Sequence, residues 1–215
     1  MKPLSDCFLY AFVDTAYLAG REPRTVTEQL CEGGADLVQF RAKQSSPDEI
    51  REMAKTILPI TRSANVGLVI NDYPLIAQEL GAELCHLGQE DFHDSGCAKV
   101  SEFRTPNSPL RIGLSTHSPD QARAAIAAEP DYIAVGPVYA TGTKPGAKPV
   151  TLDYVRWAAA NVSIPWFAIG GINLQNLDDV LAAGARRICV VSAILSSADI
   201  ASSCREFKKR LMAKL

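Results

Sequence analysis

The sequence lacks an excess of charge of either sign. Its 22 Lys and Arg stand against 24 Asp and Glu, a formal net charge of −2 over 215 residues. Such a balance leaves no broad electrostatic footprint for nucleic acid or for an anionic membrane. A membrane-length apolar run is also missing; none approaches the ~18 residues of a spanning helix. The strongest N-terminal apolar run, Cys7 to Val13, is flanked by Asp6 and Asp14, not by the basic residues of a signal peptide. We read it as a first buried strand. The six cysteines contain no Cys-x-x-Cys pair, which argues against a zinc knuckle or a dithiol redox motif. Cys7, Cys85 and Cys189 sit in apolar runs and read as small buried hydrophobes of a cytoplasmic protein. The three histidines, His86, His93 and His117, are too scattered for a metal triad. No charge block, low-complexity tract or linker divides the chain.

What is present is a core-forming composition, 47% apolar and 21% charged, which excludes a disordered chain. Short apolar runs alternate with helical stretches. The runs are Phe8–Val13, Leu37–Phe40, Leu68–Ile70, Leu84–Leu87, Arg111–Leu114, Tyr132–Val135, Trp166–Ile169 and Ile188–Val191. Most are nearly continuous in apolar residues, as strands covered on both faces of a parallel sheet must be. Helices are expected at Thr25–Cys31, Pro47–Ile60, Gln121–Ala128, Thr151–Ala160, Asn173–Ala183 and Ala198–Lys214. Ser46-Pro47-Asp48 and Ser118-Pro119-Asp120 mark two of the starts. Residues 92–109 are the least regular part. Eight strand–helix units predict an α/β fold, a single-domain (β/α)8 TIM barrel over residues 1–215. An open doubly wound sheet is the competing architecture.

The polar residues favour the barrel, because they follow the strand runs and a barrel gathers its C-terminal strand ends at one mouth. Gln39, Arg41 and Lys43 alternate with Phe40 and Ala42, so at a period of two they share one face. Two cations facing inward suit a bound polyanion, whereas a dry core would penalise them. A solvated edge strand is the alternative. Asp72 and Asp91 end successive strand units and suit a hard divalent ion such as Mg2+. General acid–base work by the pair, helix capping by Asp91 and ligation by Glu90 compete with that role. Thr141-Gly142-Thr143-Lys144 opens a loop rich in glycine and hydroxyls, suited to phosphate. Gly170-Gly171 and Val191-Ser192 follow the last two strands, where barrels often bind phosphate. The pattern thus predicts two anion sites, one of them metal-assisted. His86 could face the pocket and contact a ring, or serve as a structural histidine.

Taken in order, these segments resemble the thiamine-phosphate synthase family. The resemblance rests on Val38-Gln39-Phe40-Arg41-Ala42-Lys43, Ile70-Asn71-Asp72, His86-Leu87-Gly88-Gln89-Glu90-Asp91 and Gly113-Leu114-Ser115-Thr116-His117. It continues through Val135-Gly136-Pro137-Val138-Tyr139, Thr141-Gly142-Thr143-Lys144 and Ala168-Ile169-Gly170-Gly171-Ile172. It implies an enzyme that joins hydroxymethylpyrimidine pyrophosphate to a thiazole phosphate and releases pyrophosphate. By the same resemblance Gln39 would contact the pyrimidine, and Phe40 and Ala42 would belong to the same pyrimidine pyrophosphate-binding segment. Arg41, Lys43, Asn71, Ser115 and Lys144 would hold its pyrophosphate, with Arg41, Lys43, Ser115 and Lys144 as the catalytic set. Asp72 and Asp91 would hold Mg2+. Thr141, Gly142, Thr143, Gly170, Gly171, Val191 and Ser192 would hold the thiazole phosphate. The implied partners are these small molecules, with neither nucleic acid nor membrane; a homo-oligomer is compatible. Three departures stand out: Ala42 for the family's acid, Tyr73-Pro74-Leu75 after Asn71-Asp72, and Leu84-Cys85 before His86. The competing functions are a thiazole phosphate tautomerase, which carries a histidine where this chain has Pro137, and a non-catalytic thiamine-precursor binder.

Overall fold

In the computed structural model, which describes residues 1–142 and 148–214, eight parallel strands close into a barrel in chain order. They are β1 (Leu9–Asp14), β2 (Leu37–Arg41), β3 (Gly67–Asn71), β4 (Leu84–Leu87), β5 (Arg111–Thr116), β6 (Tyr132–Val135), β7 (Trp166–Ala168) and β8 (Ile188–Val190). Pairing of Tyr10 with Cys189 across β1 and β8 closes the ring. The expected runs coincide with these strands to within one or two residues. The reason is burial: β1, β4, β6, β7 and β8 are buried at every position. This is the condition of a strand between a filled interior and a layer of helices.

The helices are α1 (Pro23–Glu32), α2 (Pro47–Ser63), α3 (Pro74–Leu80), α4 (Gln89–Asp94), α5 (Pro119–Ala127), α6 (Thr151–Asn161), α7 (Leu177–Ala182), α8 (Ser192–Leu195) and α9 (Ile200–Met212). The two Ser-Pro-Asp starts behave as expected. Ser46 forms a capping box with Glu49, and the Ser118 hydroxyl accepts from the Gln121 amide. Helices α3 and α8 were not expected. The first is only seven residues long and has no side-chain cap at Tyr73. The second is a four-residue turn. Too short to show a helical period, both are fixed by packing on the barrel. Between β4 and β5 the irregular stretch holds α4 and a short 3-10 turn at Val100–Phe103. Asp91 therefore lies in the first turn of a helix, not in a strand-end loop.

The barrel interior is aromatic. Tyr10, Tyr132 and Phe167 meet edge to face, with ring centroids 5.4–6.1 Å apart. Gly113 makes room for them, since a Cβ there would lie 2.1 Å from Tyr132 Cζ. At the opposite, N-terminal end of the strands, buried Asp36 accepts from the Phe8 and Leu9 amides and pairs with Lys2 and Lys208. That end is a structural seal, which leaves the C-terminal mouth for chemistry. Among the described residues no helix is long and apolar enough to cross a membrane.

Candidate active site

A cavity of about 390 Å³ opens at the C-terminal mouth. The period-two argument for β2 holds: Gln39, Arg41 and Lys43 all line it, although the strand itself ends at Arg41. Phe40 and Ala42 are buried and do not line it; the alternation turns their side chains away. Asn71, Asp72, Asp91 and Ser115 complete one wall. Thr141, Gly170, Gly171, Val191 and Ser192 line the same cavity. Gly142 is exposed and outside the lining. The expectations for Thr143 and Lys144 lie outside the described residues.

Each cation is held by a carboxylate. Arg41 Nη1 donates to Asp14 Oδ2 at 2.8 Å, and Asp14 is only 1% exposed. Lys43 Nζ lies 2.5 Å from Asp72 Oδ2, the oxygen that also accepts from Asn71 Nδ2 at 2.5 Å. Asp72 adopts a left-handed backbone with φ of 64°, and its amide donates to the His86 carbonyl at 2.8 Å. The turn after β3 is therefore tied to β4, which fixes the carboxylate at the cavity wall. Opposite, Gly88 makes space for the Asp91 carboxylate: a Cβ there would sit 2.3 Å from Asp91 Oδ2.

Asp72 and Asp91 thus offer hard oxygen donors to one cavity, the donor set that Mg2+ takes together with water and phosphate oxygens. Among the described residues no group of three or more Asp, Glu, His or Cys is close enough to chelate a metal unaided. Two carboxylates with open positions suit a metal shared with a substrate.

On the other wall, Gly170 and Gly171 take φ of 102° and 65°, a backbone closed to most side chains. The Gly171 carbonyl accepts from Asn176 Nδ2 at 2.9 Å, which pins the turn. Ser192 opens α8 beside it.

The floor is a hydrogen-bonded set of which strand periodicity in the sequence singled out Gln39 alone. Gln39 Nε2 donates to Tyr10 Oη at 2.6 Å, and Tyr10 and Tyr132 hydroxyls lie 3.1 Å apart. His86 Nδ1 is 3.1 Å from Tyr132 Oη and its Nε2 is 2.9 Å from Ser115 Oγ. His86 both lines the cavity and is structurally satisfied. Burial pushes its pKa down to about 4, against a weaker opposing pull from Asp91, so the ring is neutral at physiological pH. Tyr10 and Asp14 carried a usable signal. They share the inward face with Phe12 at a period of two, Tyr10 inside a run read as a buried strand and Asp14 directly at its end.

The family model described as thiamine monophosphate synthase matches residues 9–194. Thiamine-phosphate synthase of Thermus thermophilus is 43% identical over 191 residues, covering 86% of this chain and 87% of that protein. The Halalkalibacterium halodurans protein of the same name is 36% identical over 205 residues, 95% of each chain. The solved thiamine phosphate pyrophosphorylase of Pyrococcus furiosus superposes with a TM-score of 0.87 at 28% identity and covers 100% of both chains.

Proposed function

Since the chain belongs to the thiamine monophosphate synthase family and is a transferase forming thiamine phosphate, we propose how this cavity performs that transfer. The substrates are an aminopyrimidine bearing a hydroxymethyl pyrophosphate arm and a thiazole phosphate. One observation carries the reading. Two chemically different sets of groups, the cations and carboxylates Arg41, Lys43, Asp72 and Asp91 and the glycines and serine Gly170, Gly171 and Ser192, line one cavity, which supports an anion site at each.

On this reading Gln39 orients the pyrimidine, with Phe40 and Ala42 packed behind it. Arg41, Lys43, Asn71, Ser115 and Lys144 hold the pyrophosphate. Thr141, Gly142, Thr143, Gly170, Gly171, Val191 and Ser192 hold the thiazole phosphate. Anchoring each substrate by its own phosphate keeps the two rings in contact, which removes much of the entropic barrier to a two-substrate step. The C–O bond to pyrophosphate breaks, a pyrimidine methylene cation forms, and the thiazole nitrogen attacks it. Negative charge grows on the leaving group, where Arg41, Lys43 and Lys144 stabilise it. The nucleophile is a ring nitrogen with no proton to lose. No base is therefore required, in keeping with a neutral, doubly bonded His86.

Asp72 and Asp91 would hold Mg2+, which supplies further charge neutralisation to the departing pyrophosphate. The Lys43–Asp72 pair fits both tasks. A pyrophosphate oxygen and a divalent cation would give each the opposite charge that it now finds in the other. Residues 1–215 act as one domain, in the cytoplasm.

The test is product formation. Protein, both substrates and Mg2+ are mixed, and the product is oxidised to thiochrome and read by fluorescence. We expect a signal that chelator abolishes. Folded protein giving no signal would overturn the reading.

A further inference from the structure

The five side chains on the cavity floor form one continuous chain: Gln39, Tyr10, Tyr132, His86 and Ser115, with links of 2.6, 3.1, 3.1 and 2.9 Å. They come from five different strands, β2, β1, β6, β4 and β5. The inner three are buried, and their polar side-chain atoms have no partner outside the chain among the described residues. Its two ends, Gln39 and Ser115, line the cavity, as do Tyr10 and His86 between them, whose polar atoms are taken up by the chain itself.

Each hydroxyl carries one proton, and so does a neutral imidazole. Only two fully bonded arrangements then exist, and they run in opposite directions. In the first, Gln39 donates to Tyr10, Tyr10 to Tyr132, Tyr132 to His86 Nδ1, and His86 Nε2–H to Ser115. Gln39 then shows its Oε1 acceptor to the cavity, and the Ser115 proton is left to donate there. In the second, Ser115 donates to His86 Nε2, and every link reverses as far as Gln39 Oε1. Gln39 then shows an N–H donor, and Ser115 shows only lone pairs. Neither end can change without the other.

We propose that this chain is a specificity relay that couples the edge of the pyrimidine read by Gln39 to the proton that Ser115 offers the pyrophosphate. The inference rests on the function proposed above. A pyrophosphate oxygen only accepts, so it fits the first direction alone. Gln39 Oε1 is then an acceptor, matched by an exocyclic amino group on the ring. A ring with an oxo group in that place would set acceptor against acceptor. Reversing the chain to suit it would withdraw the Ser115 proton from the pyrophosphate. Either way a buried polar group is left mispaired, which is where sites gain their strongest discrimination. Tyr10, Tyr132 and His86 are positioning residues in this scheme.

Tyr132→Phe keeps the ring and cuts the chain at its centre. Pyrophosphate release is measured with the aminopyrimidine pyrophosphate and with its oxo analogue, thiazole phosphate present. We expect wild-type kcat/KM to favour the amino ring by ~100-fold or more, and the variant to lose ~10-fold of that ratio. A purely structural defect slows both substrates alike, so an unchanged ratio in folded Tyr132→Phe overturns the relay. Should that variant not fold, Tyr10→Phe is judged by the same ratio. A second readout needs no turnover. With inorganic pyrophosphate and Mg2+ bound, the nitrogen spectrum of His86 should show the proton on Nε2; a proton on Nδ1 overturns the relay. Wild-type protein that forms no thiamine phosphate overturns the proposed function instead, and the His86 spectrum still judges the relay by itself.

Discussion

A His86→Gln variant should be less stable than the wild type near neutral pH, and its deficit should shrink in acid. His86 is 8% exposed, and burial lowers its pKa from 6.5 to about 4. In the unfolded chain the ring returns to its ordinary value, so the unfolded state binds the extra proton between the two pKa values. The stability tied to the neutral ring is complete above the unfolded pKa and is lost as pH falls through the folded one. With these two pKa values the loss is ~2 kcal/mol between about pH 7.5 and about pH 5, and ~3 kcal/mol once pH is well below 4. Gln does not titrate, and the other ionisable groups are common to both proteins. The wild-type advantage, ~2 kcal/mol near neutrality from two hydrogen bonds, should therefore nearly vanish at about pH 5. Urea unfolding of both proteins at the two pH values measures it. An advantage that stays constant, or grows in acid, would refute the picture of a neutral, desolvated ring.

Other expectations follow from the same geometry. Gly88→Ala should raise the Mg2+ half-saturation of activity by about 10-fold with little change in melting temperature, because the new Cβ meets only the movable Asp91 carboxylate; an unchanged metal titration would remove Asp91 from the metal site. Asp14→Ala should cost ~3 kcal/mol in urea unfolding, since it strips a 2.8 Å partner from Arg41 and leaves that charge uncompensated; a cost below ~0.5 kcal/mol would mean that water already serves Arg41. Lys144→Ala should cut turnover by ~100-fold or more with an unchanged circular dichroism spectrum, and near-wild-type turnover would take Lys144 out of the pyrophosphate site.

The strand pattern was legible because a parallel barrel buries both faces of each strand, and continuous apolar runs record that directly. The Ser-Pro-Asp starts of α2 and α5 were legible because capping is a contact between residues three apart. Gln39, Arg41 and Lys43 could be assigned to one face for the same local reason, the period of two. Helices α3 and α8 were not legible, being shorter than the period that would reveal them.

The sequence by itself thus determined the barrel, its mouth and the residue types delivered there, since each depends on neighbours a few positions apart. Only the tertiary structure decided who holds whom. Arg41 rests on Asp14, 27 positions away, and the floor links Tyr10 to Tyr132, 122 positions away. Closing the ring of strands creates those contacts, and no local period encodes a distance across a barrel.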